Sequence, residues 1–297
     1  MILVVGATGD LGGRVVRQII GRGEAVRCLV RPGTDSGELE AQGAEIVRGD
    51  LTDSASLGPA CVGVGVVVCS ATVIGRRLSG AGGPSIREVD EDGVTALVDI
   101  AQWAGVGRFV YVSYAGADAG LGSPLERAKI AVEKKLSSSA MSVTILRPDA
   151  FQEIHLAPMG RFDMQAGKVA VFGKGNSRRR WVSTDDVAAL IAAVAVQDGA
   201  PPIIEFGGPE AISRNEAIRV AEQLTGRKMK RQAMPRFAAR AGMKLLDRPN
   251  SALASVFGAG LLQDLVEAHW DDSALRDYGI EPRSATDFLR EQARPPS

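Results

Sequence analysis

A glycine-rich turn at the start of the chain constrains the fold more than any other feature. The apolar run Ile2–Val5 predicts a buried strand, and Leu11–Ile20 has the spacing of a helix. Between them lies Gly6-Ala7-Thr8-Gly9-Asp10-Leu11-Gly12. Such a turn lets the backbone approach a pyrophosphate, which the N-terminus of the helix stabilises. The spacing is G-x-x-G-x-x-G rather than G-x-G-x-x-G, so a simple tight turn remains the alternative interpretation.

Short apolar runs then alternate with helical patterns up to Pro148, which predicts a Rossmann-type, doubly wound parallel sheet with helices on both faces. We expect residues 1–150 to form a dinucleotide-binding domain and residues 151–297 a smaller, mostly helical substrate-side region that is partly interleaved with the sheet. The further predicted strands of the first region are Ala25–Val30, Glu45–Val47, Val64–Cys69, Arg108–Val112 and Ser142–Leu146; the further helices are Ser36–Gln42, Val89–Ala104 and Pro124–Ser138.

The second region has longer loops. Ser183–Val196 predicts a helix with a polar N-cap cluster, and Ile203–Phe206 predicts a further strand. Ser213–Leu224 begins with a capping box, in which Ser213 is followed three residues later by Glu216. The last ~70 residues are predicted to be helices separated by Pro and Gly. Gly75–Pro84 is predicted to be a mobile loop.

Composition excludes several classes of protein. The 35 basic and 35 acidic residues give a formal net charge of zero, which argues against a bulk nucleic-acid or anionic-membrane binder. Three cysteines without CxxC spacing and two histidines predict neither a disulfide scaffold nor a metal site. The longest apolar runs, such as Val187–Val196, are too short to span a membrane. With no basic leader before the first strand, we expect a cytoplasmic protein.

The end of the second predicted strand indicates which dinucleotide is bound. An acidic residue there would accept a hydrogen bond from the ribose 2′-hydroxyl of NAD, but the strand ends Val30-Arg31. Arg31 would pair with a 2′-phosphate, which favours NADP(H). A solvated surface arginine is the alternative. Thr34 and Arg14 are weaker second contacts. After the third strand, Asp50 would accept a hydrogen bond from adenine, unless it is only a turn aspartate.

The motifs together resemble one family. They are Ile2-Leu3-Val4-Val5-Gly6-Ala7-Thr8-Gly9, Val26-Arg27-Cys28-Leu29-Val30-Arg31, Gly49-Asp50-Leu51, Arg108-Phe109-Val110-Tyr111-Val112-Ser113, Thr144-Ile145-Leu146-Arg147-Pro148 and Phe206-Gly207-Gly208-Pro209-Glu210. Over almost the whole chain, the sequence is similar to the NmrA-like group of atypical short-chain dehydrogenase/reductases. That group includes NADPH-dependent quinone and ether reductases, isoflavone-reductase-like enzymes, redox-sensing regulators and assembly factors for membrane redox complexes.

The resemblance assigns cofactor contacts residue by residue. Gly6, Gly9 and Gly12 would hold the pyrophosphate, with Thr8, Asp10 and Leu11 of the same turn. Arg31 would hold the 2′-phosphate, and Asp50 and Leu51 would border adenine. Ser70, Ala71 and Thr72 would lie along the nicotinamide ribose. The segment from Pro148 to Phe151 would wall the nicotinamide.

The catalytic pattern of the family is incomplete here. Active members usually pair a tyrosine with a lysine four residues later, but this helix has Leu125 before Lys129. A leucine cannot donate a proton. Lys129 would then act as acid or base itself, as in isoflavone-reductase-like enzymes, or Tyr114 beside Ser113 would supply the hydroxyl. The third alternative is a protein that binds the cofactor without turnover.

Other candidates follow Pro148. His155 would titrate near neutral pH and is a candidate catalytic residue, with Asp149 and Glu153 on the same segment. An apolar pocket or ordinary core packing would explain Met159, Phe162, Met164 and Trp181 equally well. The basic run Arg178-Arg179-Arg180 is interpreted as a solvated loop rather than a binding site for an acidic partner.

These observations favour an NADPH-dependent oxidoreductase for a small apolar, aromatic or quinone-like substrate. The alternatives are a non-catalytic NADP(H)-binding regulator or assembly scaffold, and an isomerase or tailoring enzyme that uses the nicotinamide transiently. The expected partner is a small-molecule substrate; a nucleic acid and a membrane span are not expected. The sequence makes no prediction of the oligomeric state.

Overall fold

The computed structural model describes residues 1–294. In it, the short apolar runs of the sequence form β-strands. The first strand shows why: all four of its residues are buried, so both faces of the strand are covered. The strands are β1 (Ile2–Val5), β2 (Val26–Val30), β3 (Glu45–Arg48), β4 (Val66–Cys69), β5 (Arg108–Val112), β6 (Ser142–Pro148), β7 (Phe162–Asp163), β8 (Lys168–Phe172), β9 (Arg178–Arg179), β10 (Ile203–Phe206), β11 (Ile212–Ser213) and β12 (Lys230–Met234).

Helices fill most of the connections between the strands. They are α1 (Asp10–Gly21), α2 (Gly37–Ala41), α3 (Gly58–Cys61), α4 (Ile74–Leu78), α5 (Val94–Trp103), α6 (Pro124–Ser137), α7 (Gln152–His155), α8 (Thr184–Val196), α9 (Arg214–Thr225), α10 (Arg236–Leu246), α11 (Ser251–Leu265), α12 (Ser273–Asp277) and α13 (Ala285–Gln292). Two short 3₁₀ segments, Ser54–Ser56 and Pro158–Gly160, and a π-helix, Arg87–Gly93, complete them. Within the described part of the chain, no helix has the length and apolar character required to cross a bilayer.

The main sheet has seven strands within residues 1–294, in the order β10-β6-β5-β4-β1-β2-β3. The pairings from β3 through to β6 are parallel. The strand order reverses between β1 and β4, and ligands of open α/β sheets bind at the carboxyl ends of the strands on either side of such a point. β1 ends directly before Gly6, and β4 ends directly before Ser70. The prediction of a Rossmann-type doubly wound α/β fold is confirmed.

The chain divides into two compact units. The first consists of Met1–Ser113, Pro124–Leu146 and Val187–Ile204. Its core includes the fully buried Leu3, Val67, Leu97 and Phe109. This unit contains β1–β5 and the helices that connect them.

The second unit consists of Tyr114–Ser123, Arg147–Asp186 and the residues from Glu205 onward. Its own small sheet has the order β12-β8-β7, and β9 pairs antiparallel with β11. The capping box predicted for α9 is present, since the Ser213 side chain accepts from the backbone N–H of Glu216 and the Glu216 carboxylate accepts from the backbone N–H of Ser213. α10 and α11 pack together around Ala239, Met243, Ala254 and Leu261.

Some elements differ from the sequence-based predictions. The segment predicted as a mobile loop begins with α4, which closes in a turn at Gly80 and whose Arg77 side chain bonds to the Gly83 carbonyl. The long helix predicted from Val89 begins as a π-helix at Arg87. The final ~70 residues contain the strand β12, because its backbone pairs in parallel with β8 although its side chains are mostly exposed.

Candidate cofactor site and buried lysine cluster

The glycine turn is built so that two of its glycines cannot carry a side chain. Gly6 has a φ of 96°, and a Cβ there would lie 2.8 Å from the backbone nitrogen of Ala71. A Cβ on Gly12 would lie 2.1 Å from the Gly6 carbonyl oxygen. At Gly9 the same contact would be 3.3 Å, which a small shift relieves. Gly6 and Gly12 therefore shape the turn, whereas Gly9 leaves its outer side open.

The turn delivers unsatisfied backbone donors to a cleft. Gly9 is the N-cap of α1, and the Gly13 N–H bonds to its carbonyl at 2.9 Å. The N–H groups before Gly13 in the first turn have no acceptor within the helix. The turn and the start of α1 line a cleft of about 430 Å³, whose lining residues are Ala7, Thr8, Gly9, Asp10, Gly13, Arg14, Arg17, Asp35, Ser36, Glu38, Leu39 and Gln42. Free amides at a helix N-terminus can bind an anion such as a phosphate group.

The cleft carries charges of both signs. Asp10 pairs with Arg14 at 3.0 Å, and the Asp35 carboxylate accepts a hydrogen bond from the Gly37 N–H at 2.9 Å. Arg17 is exposed and lines the cleft. Besides Asp10, two exposed carboxylates, Asp35 and Glu38, therefore line the cleft together with the basic Arg14 and Arg17.

Arg31 lies at the end of β2, before the segment that lines the cleft, and is half-buried. Within residues 1–294 its guanidinium makes no hydrogen bond or ion pair. Its carbonyl accepts hydrogen bonds from the Thr34 N–H and from the Arg48 guanidinium. Arg48, which the sequence analysis did not single out, donates to the Thr34 carbonyl at 2.7 Å and to the Ser36 hydroxyl at 2.7 Å. Arg48 thus fixes the segment while the Arg31 guanidinium stays available.

Asp50 and Leu51 lie at the same edge of the sheet. One oxygen of the Asp50 carboxylate accepts from the N–H and the hydroxyl of Thr52, as in a turn, and Leu51 is buried. Ser70 donates its N–H to the Val5 carbonyl, which ties the end of β4 to the end of β1. These contacts keep both strand ends beside the glycine turn.

A buried cluster continues from this edge and is centred on Lys129. Its ammonium donates to the Val112 carbonyl at 2.9 Å and lies 4.7 Å from the centre of the Tyr111 ring. Burial lowers the pKa of Lys129, and the nearby Asp90 carboxylate partly opposes that shift. Val112 directly precedes Ser113, whose buried hydroxyl has no hydrogen-bond partner in the described chain.

Asp90 is the counter-charge of this cluster and was missed by the sequence analysis. It is fully buried, one of its oxygens accepts from the Val73 N–H at 3.1 Å, and the other has no partner among the described residues. Burial raises its pKa, while Lys129 and the Thr72 hydroxyl act in the opposite direction. The signal was available: Asp90 shares the i, i+4 register of the buried Ile86 and Val94.

The glycine turn and the lysine cluster are connected by short steps. Gly6 lies against Ala71, which is two residues before Val73, and the Val73 N–H donates to Asp90. Leu125 stands one turn before Lys129 and is half-buried. The first unit therefore joins an anion site to a desolvated amine, with no hydroxyl at position 125.

The candidates of the second unit lie in a different kind of environment. His155 bonds through Nδ1 to the Gln263 amide at 3.0 Å, and its ring lies 6.2 Å from that of Trp181. Burial, then the charge of Arg214, lowers the pKa of His155 to about 4. The imidazole is neutral at physiological pH and is not poised to exchange a proton there.

Asp149 and Arg179 form a closed ion pair. One Asp149 oxygen accepts from Arg179 Nε at 3.0 Å and Nη2 at 2.5 Å. The other accepts from the Arg180 N–H and from Trp270 Nε1, both at 2.9 Å. Both partners are buried, so Arg179 is not part of the solvated loop that the basic run predicts.

Further candidates have packing roles in the same unit. The Glu153 carboxylate caps the start of α8 by accepting from the N–H and hydroxyl of Thr184. Phe162, Met164 and Trp181 are buried core residues, whereas Met159 is exposed. Pro148 accepts from the Ala115 N–H, and Phe151 bridges to Val182 and caps α7. Tyr114 is half-buried and accepts from the Ala117 N–H through its carbonyl.

A family model described as NAD(P)H-binding matches residues 6–198. The chain belongs to this family. The match begins at Gly6, the first residue of the glycine turn, and confirms the expected resemblance to an NAD(P)H-binding family. A nicotinamide dinucleotide as the cofactor is confirmed as well.

Curated relatives of this NAD(P)H-binding protein carry different names. It is 30% identical over 235 residues to the photosystem II assembly factor Ycf39 of Synechocystis, covering 79% of this chain and 70% of the relative. Identity to Ycf39 of Trieres chinensis is 29%, covering 80% and 72%. Identity to the NAD(P)H azoreductase of Xenophilus azovorans is 26%, covering 84% and 83%.

Solved structures share the fold. The NADPH-dependent quinone oxidoreductase QOR2 of Escherichia coli, complexed with NADPH, superposes with a TM-score of 0.75 at 22% identity, covering 98% of this chain and 99% of the other. The triphenylmethane reductase of Citrobacter sp. gives a TM-score of 0.76 at 19% identity, with 99% of both chains covered. At these identities the comparison supports the fold.

Proposed function

We propose that the protein is an NADPH-dependent oxidoreductase for a small apolar substrate, aromatic or quinone-like, and that Lys129 and Ser113 form its catalytic pair. Residues 1–150 would carry the cofactor and residues 151–297 the substrate side. The observation that carries the proposal is the cluster of Lys129, Asp90 and Ser113, which is buried yet incompletely hydrogen-bonded. Buried polar groups without partners are uncommon in structural cores and frequent at functional sites.

The cofactor contacts follow from the cleft. The amides of the glycine turn would bind the pyrophosphate, with Thr8, Asp10 and Leu11 around it, and Arg31 would bind the 2′-phosphate of NADP(H). Asp50 and Leu51 would border adenine, and Ser70, Ala71 and Thr72 would lie along the nicotinamide ribose. The unpaired guanidinium of Arg31 supports NADP(H) over NAD(H), because no carboxylate stands at the end of β2 to accept from a 2′-hydroxyl.

When bound, the nicotinamide would supply the hydride. Lys129 would hold the proton that a reduced quinone oxygen must receive, at its Nζ atom. Desolvation makes this amine a better acid than a solvated lysine, since burial lowers its pKa. The Asp90 carboxylate partly opposes that shift, and the Ser113 hydroxyl would orient the substrate oxygen. This assignment does not require the tyrosine that Leu125 replaces.

A non-catalytic NADP(H)-binding scaffold is the second candidate. The specific observation in its favour is Leu125, which removes the usual proton donor of the family. The naming of two relatives as assembly factors is consistent with it. In this case Lys129 would contact only the ribose.

The deciding experiment measures NADPH oxidation in the presence of a panel of quinones, azo compounds and enones, alongside binding of NADPH and NADH by calorimetry. Turnover of a quinone with NADPH supports the oxidoreductase. NADPH binding without turnover of any compound supports the scaffold. Tighter binding of NADH than of NADPH contradicts the Arg31 assignment.

A matched pair of glycine variants tests the turn itself. Gly9→Val is expected to abolish dinucleotide binding but to leave the fold largely intact, because only a 3.3 Å contact has to relax. Gly12→Val is expected to destabilise the fold, because its Cβ would overlap the Gly6 carbonyl. Unchanged cofactor affinity in Gly9→Val, measured by calorimetry beside a thermal melt, would show that the segment is only a turn.

A further inference from the structure

The outward face of α10 combines exposed apolar and basic side chains. Phe237 and Leu245 are 77% and 76% exposed, which is unusual for large apolar residues. Arg240 and Lys244 are exposed on the same side of the helix, with Ala241 between them. At 100° per residue, these five positions fall within one half of the helix. We call them the α10 face.

The opposite side of α10 is fixed. Ala239 and Met243 are buried, and Gly242 lies so close to α11 that a Cβ would be 2.8 Å from the Phe257 ring. The helix is therefore packed in place and presents the α10 face ready-formed. Binding to this face would therefore not require the helix to be ordered first, and that entropy cost is avoided.

Charge is strongly segregated around this helix. Residues 227–248 contain eight basic residues and one acidic residue, Asp247, whereas the whole chain has a net charge of zero. Lys228 is paired with Glu222 and Arg236 with Asp264, but Arg240 and Lys244 have no carboxylate partner in the described part of the chain. The zero net charge of the whole chain argued against an anionic partner, but it conceals this strongly basic segment.

We propose that the α10 face docks on an anionic lipid surface, as a peripheral membrane contact. Phe237 and Leu245 are eight residues apart, or about 12 Å along the helix, and would enter the acyl boundary at two points. Arg240 and Lys244 lie between them and have long apolar stems, which allow their charges to rise to the lipid phosphates. A flat acidic protein surface would match the charges but would leave the two apolar side chains without an apolar layer to enter.

The test uses the full chain and vesicles that sediment. Vesicles of phosphatidylcholine mixed with phosphatidylglycerol are expected to bind the protein, and vesicles of phosphatidylcholine alone to bind it at least about tenfold more weakly. Raising the salt from about 0.1 M to 1 M, which shortens the Debye length from about 10 Å to about 3 Å, is expected to release the protein.

Two pairs of substitutions separate the contribution of the basic side chains to vesicle binding from that of the apolar side chains. Arg240→Gln with Lys244→Gln is expected to lower the partition coefficient about 30-fold, at about one kcal/mol for each charge. Phe237→Ser with Leu245→Ser is expected to lower it by about tenfold or more. Trp103→Ser and Lys134→Gln, which remove an exposed aromatic residue and an exposed cation from the first unit, serve as controls that keep binding.

Direct insertion has its own readout. In Phe237→Trp, the added indole fluorescence is expected to shift to the blue on anionic vesicles and to be quenched by lipids brominated on their acyl chains. Equal binding of all variants, or an unshifted indole, overturns the proposal. Binding to polyglutamate but not to vesicles would make the partner an acidic protein. A dimer that is seen by sedimentation velocity and lost in Phe237→Ser, without vesicle binding, would make the partner a second copy; either result also overturns the proposal.

Discussion

Each unit contains a buried acidic side chain near a buried basic one, and the two pairs differ in how completely their polar atoms are hydrogen-bonded. In the second unit, every oxygen of Asp149 accepts a hydrogen bond, and Arg179 is held from several directions. In the first unit, one Asp90 oxygen and the neighbouring Ser113 hydroxyl have no partner within residues 1–294. A closed network stabilises one arrangement, whereas an open one keeps polar atoms available to a ligand.

The comparison separates candidates that look alike in the sequence. Asp149, Arg179 and His155 are chemically capable residues, yet their hydrogen bonds are used inside the second unit. Lys129 and Arg31 are chemically ordinary, yet their surroundings leave donor capacity for a ligand. Availability of the polar atoms, rather than residue type, is therefore the criterion for a functional role here.

The largest expected effect concerns the open cluster. If the protein turns over NADPH, Lys129→Met is expected to lower the rate ~10²–10⁴-fold, because loss of a general acid typically costs that much. Tyr114→Phe is expected to change it far less. Steady-state rates and cofactor affinity are measured together, since a ribose contact alone would alter affinity and not the chemical step.

Two outcomes would reverse this assignment. Full turnover in Lys129→Met, with loss of turnover in Tyr114→Phe, would place the proton donor at the tyrosine. Creation of carbonyl reduction by Leu125→Tyr in an otherwise inert protein would favour the scaffold, because it would show that only the missing hydroxyl prevented catalysis.

Loss of the ion pair between Asp149 and Arg179 is expected to lower the stability of the fold. Arg179→Met leaves the buried Asp149 carboxylate without its cation and should lower the free energy of unfolding by roughly 3–5 kcal/mol. Urea denaturation measures the change, with Asp149→Asn combined with Arg179→Met as the matched control that removes both charges. We expect Lys129→Met to destabilise less than Arg179→Met; the reverse order would break the distinction between the two clusters.

Arg31 tests the same criterion at the surface. Arg31→Ala is expected to weaken NADPH binding by roughly 1.5–3 kcal/mol, the value of a hydrogen bond to a charged group, and to leave NADH binding nearly unchanged. Calorimetric titration of the wild type and of Arg31→Ala with each cofactor measures the two changes in affinity. An equal loss for NADPH and NADH would mean that Arg31 contacts a part common to both dinucleotides.

His155 gives the smallest expected effect. Its pKa is about 4 in the folded chain and about 6.5 when unfolded, so the unfolded state binds the proton more readily between these values. The free energy of unfolding is therefore expected to fall by about 2 kcal/mol as the pH drops from 7 to 4, allowing for partial solvent screening. His155→Gln should flatten this dependence, whereas His269→Gln, at an exposed position, should retain it.

Much of the fold could be predicted because its signals are local. Apolar runs with turns between them specify β1 to β6, and the Ser213 capping box specifies the start of α9. The strand β12 was missed because its side chains are mostly exposed and its stability comes from backbone pairing with a distant strand. The one-turn helix α4 was missed because Gly and Ser around it give a composition typical of loops.

For the candidate site, the sequence by itself determined the glycine turn, the absence of a carboxylate after β2 and the absence of the tyrosine before Lys129. These are properties of neighbouring residues, and steric limits on the backbone make them readable without a structure. Only the tertiary structure decided that Asp90 faces Lys129, that Asp149 is closed by Arg179 and Trp270, and that His155 is kept neutral. Burial and long-range hydrogen bonding set the charge and availability of a side chain, and both depend on residues that are distant in the chain.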